Sequence, residues 1–187
     1  MHCADGPTRV LHLVAAAPPR LLVFGAVDFS AALADAAVLL GYRVTVCDAR
    51  PAFATPARFP SANEVVAEWP DEYLARTEVD ARTVICVLTH DDRFDVPLLV
   101  AALRLPVAFV GAMGSRATHE RRRARLVEEG LTDVELARLR SPIGLDLGAS
   151  TPQETAVSIL AEVLAARAGT AGAPLTTTSG PIHGETS

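Results

Sequence analysis

The sequence has few aromatic residues and no excess of positive charge. Aromatic side chains make up 5% of its 187 residues, whereas half of the residues are hydrophobic, so a core must be built mainly from alanine, valine and leucine. Small side chains of this kind allow helices to pack closely on a parallel sheet. The formal net charge of −5 argues against nucleic acid as the main partner, because nucleic-acid binding normally needs a basic surface.

Cysteine is scarce, and long apolar runs are missing. Cys3, Cys47 and Cys86 are not at metal-ligand spacing, so no metal site is predicted, and Cys47 and Cys86 fall in apolar strand-like segments. An odd cysteine count without a CxxC pair points to a reducing compartment. No stretch of about 18 apolar residues predicts a membrane span, and the N-terminus does not read as a signal peptide. We therefore expect a cytoplasmic protein.

Strand and helix patterns alternate along most of the chain. A strand at 20–25, a helix at 29–40 and a strand at 42–48 form a unit that is almost always a right-handed crossover between parallel strands. The further predicted elements are a loop at 49–60, a weak helix at 62–76 that Pro70 breaks or restarts, strands at 82–88 and 107–110, and helices at 94–103, 115–129, 132–138 and 151–168. This alternation predicts one α/β domain of the Rossmann-like, doubly wound type, with a mostly parallel sheet and helices on both faces.

The domain is expected to occupy residues 20–168. Residues 1–19 are interpreted as an N-terminal extension with a linking strand. Residues 169–187 are rich in glycine, threonine, serine and proline, which cannot bury a core, so a disordered tail is predicted there.

The turn after the first strand lacks two of the three glycines of a dinucleotide-binding fingerprint. That fingerprint would have glycine at positions 25, 27 and 30, for a tight turn, close approach of a pyrophosphate and helix packing. The chain has Gly25, Val27 and Ser30. Asp28 adds a negative charge at the start of the helix, which stabilises the helix but repels an anion. A capped helix in a degenerate nucleotide fold therefore competes with dinucleotide binding as the interpretation of this turn, and Gly25 and Asp28 are its candidate cofactor contacts.

Polar residues follow the second and third strands, and ligands of doubly wound sheets bind over the carboxyl ends of the strands. Asp48 lies about 20 residues beyond the glycine turn, where such folds hold ribose hydroxyls, although a strand-terminal aspartate is also a common turn residue. The following Arg50 would meet a phosphate or pair with Asp48. Thr89, His90 and Asp91 are further ligand candidates, with His90 able to transfer a proton; alternatively, this segment only caps the next helix.

The loop at 111–116 follows the fourth strand and opens a helix. Gly111, Gly114, Ser115 and Arg116 are predicted to cradle a phosphate or another anion with backbone N–H groups and a guanidinium. The arginine run at 121–125 is interpreted as a solvated helix face, with partner docking as the alternative.

The loop at 141–150 is apolar and rich in glycine, and it precedes a well-capped helix. Such a loop either closes over a pocket or serves as a buried connector. Gly144 and Asp146 are its candidate ligand contacts.

The segments RVTVCDAR, VLTHDD, FVGAMGSR and SPIGLDLGASTPQE together resemble the Rossmann domain of the xanthine dehydrogenase accessory (XdhC/CoxI) family, over about residues 20–168. The terminal GPIHG is also similar to that family's tail. The resemblance implies an accessory or chaperone protein rather than a catalyst. Such a protein binds the molybdenum cofactor, supports its sulfuration and delivers it to an apo molybdenum hydroxylase of the xanthine or carbon monoxide dehydrogenase type.

The chain departs from the family pattern in two respects. The family's first turn usually reads GAGH, whereas this chain has Gly-Ala-Val-Asp at 25–28, so the role of the family's histidine is not transferred to Asp28. Family members commonly carry an additional N-terminal domain that this chain is too short to contain, so the expectation is either a stand-alone half that works with a separate partner of that type or a diverged paralogue. A homodimer is a further expectation.

Under this interpretation the phosphate of the cofactor lies near 111–116, Asp48 contacts hydroxyl or pterin edges, and Thr89, His90 and Asp91 lie beside the metal dithiolene. The alternatives are an NAD(P)-dependent oxidoreductase, which Val27 and Ser30 disfavour, and a non-catalytic scaffold that contacts a hydroxylase.

Overall fold

Six parallel strands form one sheet in the computed structural model, which describes residues 17–89, 91–179 and 182. The strands are β1 (Arg20–Phe24), β2 (Arg43–Cys47), β3 (Glu64–Val66), β4 (Val84–Val87), β5 (Phe109–Ala112) and β6 (Leu139–Arg140), and their order is β3-β2-β1-β4-β5-β6. The helices are α1 (Asp28–Leu39), α2 (Pro70–Arg76), α3 (Asp92–Arg104), α4 (Arg116–Glu128), α5 (Asp133–Leu136) and α6 (Pro152–Ala168). The predicted doubly wound α/β fold is confirmed, and its strand order switches between β1 and β4.

Both faces of the sheet are covered, because successive side chains of a strand point to opposite sides. Leu21 and Val23 of β1 belong to the core between the sheet and α1 and α6. Leu22 and Phe24 belong to the core between the sheet and α2, α3, α4 and α5. All four side chains are buried, and burying each contributes roughly 1.5–3 kcal/mol of hydrophobic stabilisation.

Local side chains set the limits of the last helix. Thr151 accepts a hydrogen bond from the N–H of Glu154 at 3.2 Å, and the Glu154 carboxylate accepts one from the N–H of Thr151 at 3.0 Å. Backbone bonds from Ser150 and Thr151 hold the pKa of Glu154 at about 2. Gly169 ends the helix with a φ of 66°, which glycine adopts without strain. The capped start predicted at Thr151 is confirmed.

The prediction of a helix at 62–76 is wrong in its first half. Residues Glu64–Val66 form β3, which pairs with β2 so that Thr45 lies opposite Glu64 and Cys47 opposite Val66. The helix begins only at Pro70, which has no N–H to lose at a first helical position. The fourth predicted strand is shifted to Phe109–Ala112, and the two-residue strand Leu139–Arg140 was not predicted.

The two ends of the chain are only partly described. The linking strand expected before residue 17 and most of the GPIHG segment lie outside the described residues. Residues 169–179 are exposed and include a 3-10 turn at Leu175–Thr177, so the disordered tail stays a prediction. None of the helices in the described ranges is both long and apolar enough to span a membrane.

Candidate functional site

The carboxyl ends of β1, β2 and β4 surround a cavity of about 450 Å³, next to the point where the strand order switches. Its volume falls within the range of about 300–1,000 Å³ that is usual for small-molecule sites. Three residues predicted from the sequence line it, namely Asp48, Thr89 and Asp91. The other lining residues are Val27, Ala49, Arg50, Pro70, Arg93 and Phe94.

Asp48 is buried at the end of β2 and organises the turn after β1. Its Oδ2 accepts a hydrogen bond from the N–H of Ala26 at 2.7 Å, and its Oδ1 accepts one from the N–H of Arg50 at 2.9 Å. The guanidinium of Arg50 adds two bonds of 2.8 Å through Nε and Nη2. Desolvation opposes the ionisation of Asp48, but these hydrogen bonds outweigh it and hold the pKa of the carboxyl below its usual value. Both carboxylate oxygens are therefore engaged inside the protein.

Gly25 is required by the close approach of the chain after β4. Its φ is +111°, and a Cβ there would lie 2.7 Å from Cγ2 and 3.0 Å from the nitrogen of Thr89. Ser30 stands where the fingerprint has its third glycine; it is buried, and its hydroxyl donates to the carbonyl of Gly25. Val27, at the position of the second glycine, lines the cavity with a branched side chain. Gly25 thus lets the turn after β1 lie against the chain after β4, and its contact with a ligand stays a prediction.

A buried ion pair supports the loop that follows β4. Nη2 of Arg122 donates to Oδ2 of Asp95 at 2.9 Å, and both side chains are fully buried. The other carboxylate oxygen of Asp95 accepts a hydrogen bond from the hydroxyl of Thr89. Arg122 also donates to the carbonyl of Met113 at 3.1 Å and to Oγ of Ser141 at 3.3 Å. This network connects the loops after β4, β5 and β6.

The interpretation of the arginine run at 121–125 as a solvated face is wrong at Arg122. Its neighbours at 121, 123 and 125 are exposed, whereas Arg122 is buried on the same side of α4 as Leu126. Residues four apart lie on one helix face, so the apolar Leu126 is the sequence signal that marks position 122 as inward-facing.

Asp91 caps α3 and also lines the cavity. Its Oδ1 accepts a bond from the N–H of Arg93 at 3.0 Å, and its Oδ2 lies 2.6 Å from Nη2 of the same arginine. Hydrogen bonds from the side chain and backbone of Arg93 lower the pKa of Asp91 to about 2. His90 lies outside the described residues, so proton transfer by it stays a prediction. Asp28 is not part of the cavity; it is exposed and lies 3.3 Å from Nη2 of Arg58.

The loop after β5 does not line the cavity either. Gly111 lies within β5, where a Cβ would collide with the loop at 141–150. Glycine at this position therefore allows the loop to pack on the strand. Gly114 has a φ of +151°, and Ser115 caps α4 by accepting a bond from the N–H of Thr118 at 3.1 Å. Arg116 is exposed at the first position of the helix. An anion at Gly114, Ser115 and Arg116 stays a prediction.

The loop at 141–150 packs on α6 rather than over the cavity. Its Ile143 N–H donates to the carbonyl of Ala112 at 3.1 Å, which adds one backbone hydrogen bond beyond the pairing of β5 with β6. The N–H of Gly144 donates to Oε2 of Glu162 at 2.6 Å, and a Cβ on Gly144 would lie 2.5 Å from Oγ of a serine on α6. Asp146 is exposed. The loop therefore does not close over this cavity, and a buried connector is supported only in part, because residues 143–145 are half-buried and residues 146–150 are exposed.

The contributions of α2 and α3 to the cavity were not predicted from the sequence. Pro70 and Phe94 supply apolar wall, and Trp69, the only tryptophan of the chain, packs on Phe94 with 4.9 Å between ring centroids. Trp69 itself is 49% exposed. A single tryptophan directly before a proline that can start a helix is the signal that was available in the sequence.

The described cysteines are not available for sulfur chemistry. Burial raises the pKa of Cys47 to about 12, and its Sγ lies 3.5 Å from the carbonyl of Glu68. Burial also raises the pKa of Cys86, which is completely enclosed. Within the described ranges, no three or more histidine, cysteine, aspartate or glutamate side chains are grouped so as to hold a metal ion.

In a comparison with protein families, the sequence model of the XdhC Rossmann domain matches residues 21–163 of this chain. The chain is 31% identical over 149 residues to a Bacillus subtilis protein named as a probable xanthine dehydrogenase subunit, covering 80% of this chain and 43% of that protein. It is 29% identical over 148 residues to the molybdenum cofactor insertion chaperone PaoD of Escherichia coli, covering 79% and 40%. It is 33% identical over 147 residues to the uncharacterized protein YqeB of Escherichia coli, covering 78% and 27%.

A solved structure is also similar to this chain. A xanthine dehydrogenase from Bacillus halodurans superposes with a TM-score of 0.70 at 27% sequence identity, covering 81% of this chain and 43% of that one. The chain thus spans less than half of the length of each of these relatives.

Proposed function

Because the chain belongs to the XdhC Rossmann-domain family, we propose that it is an accessory protein of a molybdenum hydroxylase and binds the molybdenum cofactor as cargo over the carboxyl ends of β1, β2 and β4. The observation that carries this proposal is the cavity at the switch between β1 and β4. The similarity to a protein named as a molybdenum cofactor insertion chaperone supports it.

The walls of the cavity suit a planar ring with polar edges. Val27, Pro70 and Phe94 form apolar surface, while Thr89 and the two arginine–aspartate pairs supply hydrogen-bonding groups. Small-molecule sites commonly combine apolar walls with a few convergent polar groups. A pterin ring system has this character.

The described cavity residues favour binding over catalysis. Asp48 and Asp91 are both ion-paired and have lowered pKa values, so neither is suited to accept a proton near neutral pH. The hydroxyl of Thr89 is committed to Asp95, which is itself paired within the protein. Groups committed in this way shape the cavity and do not transfer protons, which suits a carrier better than a catalyst.

Dinucleotide binding is less well supported by the same geometry. Val27 projects into the cavity where the fingerprint has bare backbone, and the N–H of Ala26 already donates to Asp48. A pyrophosphate at the first turn would have to displace that bond and avoid the valine side chain.

The proposal is tested by titrating the protein with isolated molybdenum cofactor under anoxia, then adding a cofactor-free hydroxylase and measuring its gain in activity. Ala49→Phe fills the cavity and is expected to abolish both steps. Ala81→Phe is the matched control, because Ala81 lines a separate cavity near the N-terminal ends of the strands. If the cofactor does not bind either with or without the hydroxylase, the proposal is wrong. Micromolar binding of NADPH instead would favour the oxidoreductase.

The remaining expectations belong to this proposal. They are a carbon monoxide dehydrogenase as the alternative client, a separate partner of the N-terminal type, a homodimer and a cytoplasmic location. Co-purification with a hydroxylase from the native cell would identify the client.

A further inference from the structure

We infer that the cavity holds a phosphate ester by its anionic group, bound between Arg50 and Arg93, rather than at the loop after β5. This inference rests on the proposed function, because it names the chemical class of the ligand in the same cavity. The ligand is a planar heteroaromatic ring that carries a phosphate ester, either a pterin or a nucleotide.

Arg50 lines the cavity, and its side chain is about half exposed. Nε and Nη2 bind Asp48, while Nη1 has no hydrogen-bond partner within the described part of the chain. The side chain of Asp48 is 4% exposed and that of Arg50 is 49% exposed, so the negative member of the pair is buried and the positive one is accessible. The guanidinium also lies 4.6 Å above the ring of Phe53, which restricts its position. The group that an incoming ligand meets is therefore a fixed guanidinium edge.

Arg93 repeats this arrangement from the start of α3. Nε and Nη2 bind Asp91, and Nη1 makes no hydrogen bond to any residue in the described ranges. Its side chain is 79% exposed, against 36% for Asp91. The pKa of Arg50 is raised by its hydrogen bond to Asp48 and further by the charge of Asp91. The two ion pairs therefore interact electrostatically. Both arginines line the same space.

Two accessible guanidinium edges in one cavity match a phosphate group. Each Nη1 carries two N–H donors, and arginine binds phosphate oxygens through charge-assisted hydrogen bonds. Nε and Nη2 of each arginine stay with its aspartate, so the phosphate would be bound by the Nη1 donors. The apolar wall of Pro70 and Phe94 lies in the same cavity and can pack against the ring of the ester.

Trp69 provides the reporter for the test. It is the only tryptophan in the chain, and it packs on Phe94 at the cavity wall. We propose to follow its fluorescence while titrating the protein with guanosine monophosphate and, separately, with guanosine. The ester is expected to bind at least about tenfold more tightly, because charge-assisted hydrogen bonds are gained only by the phosphate.

The decisive variant is Arg93→Gln. Arg93 is largely exposed, so the change should leave the fold intact, which the melting temperature checks. The preference for the ester over guanosine is expected to fall to about threefold or less. Arg50→Gln should act in the same direction. Arg82→Gln is the matched control, since Arg82 forms the same pair with Asp80, at 3.0 Å and 47% exposed, near the N-terminal ends of the strands.

Equal binding of guanosine and its ester, no response to the ester, or a preference that survives Arg93→Gln would each overturn the inference. Neopterin phosphate serves as the second ester: tighter binding than guanosine monophosphate identifies a pterin source, and weaker binding a nucleotide source. Either result supports a phosphate ester. If the unmutated protein prefers the ester over guanosine and Arg93→Gln removes this preference, failed cofactor transfer would reject only the proposed function.

Discussion

Arg122 of α4 and Asp95 of α3 form an ion pair with 2.9 Å between Nη2 and Oδ2, and neither side chain has any exposed surface. The pair lies directly behind the cavity wall, since Asp95 also accepts a hydrogen bond from the hydroxyl of Thr89, which lines the cavity. Nε of Arg122 has no hydrogen-bond partner among the described residues, so one donor of this buried guanidinium is not compensated. A buried ion pair thus stabilises the loops at the carboxyl ends of the strands.

Removing one member of this pair should destabilise the protein severely. Arg122→Met leaves Asp95 charged and buried without its partner, and such changes typically cost about 3–5 kcal/mol. Urea denaturation should show this loss in the free energy of unfolding. The double variant Arg122→Met, Asp95→Leu should lose less than the sum of the two single variants, because the uncompensated charge is gone. A loss below about 1 kcal/mol for Arg122→Met would contradict the buried pair.

Gly25→Ala tests the close approach between the first turn and the chain after β4. The substitution combines a positive φ with a clash against Thr89, so we expect a loss of about 2 kcal/mol or more. Gly41→Ala is the control, because Gly41 has a φ of +78° but nothing within 4 Å of a Cβ. Its loss should be about 1 kcal/mol. Equal melting temperatures for the two variants would show that the contact with Thr89 carries no energy.

The buried thiols should resist modification in the folded protein. With a pKa of about 12, Cys47 is ionised to roughly one part in ten thousand at about pH 8. A Cys3→Ser variant, which removes the remaining cysteine, should therefore react with a thiol reagent only after denaturation. Rapid reaction of the folded variant would show that a buried thiol is accessible and would favour a sulfur-transfer role.

Acid should weaken the protein partly through Asp91. Its pKa is lowered to about 2 in the folded state, so its contribution is present above its unfolded pKa of about 4 and is lost as the pH falls toward 2. Asp91→Asn should therefore flatten the fall of unfolding free energy between about pH 4 and 2. The measurement is a series of urea denaturations across that range. An unchanged slope in the variant would argue against the pair with Arg93.

Much of the architecture follows from local patterns. Alternating strands and helices identify β1, β2 and β4 and the helices between them, because hydrophobic periodicity and caps such as Thr151 act within a few residues of chain. The two shortest strands, Glu64–Val66 and Leu139–Arg140, escape such patterns. They hold too few residues to show an alternation, and their pairing with a neighbouring strand is what makes them strands.

Some residues of the cavity could also be assigned from the sequence, and others could not. Asp48, Thr89 and Asp91 could be assigned to the ligand side from the sequence, because parallel strands end at one edge of a sheet and the residues that follow them meet there. Arg93 and Phe94 could not, since their place depends on how α3 packs against α2. Asp48 was expected to offer a carboxylate, and only the folded chain brings the N–H of Ala26 to it, 22 residues away.

The sequence alone thus determined the doubly wound sheet, the edge of the sheet at which the cavity lies and, through RVTVCDAR and SPIGLDLGASTPQE, the XdhC resemblance, because all of these rest on short-range patterns. The tertiary structure alone decided which polar groups face the cavity and which are consumed inside. Arg122 belongs to an arginine run that reads as solvated, yet it is buried against Asp95, 27 residues earlier in the chain. Burial and pairing are set by contacts between distant segments, and those contacts exist only once the helices have packed on the sheet.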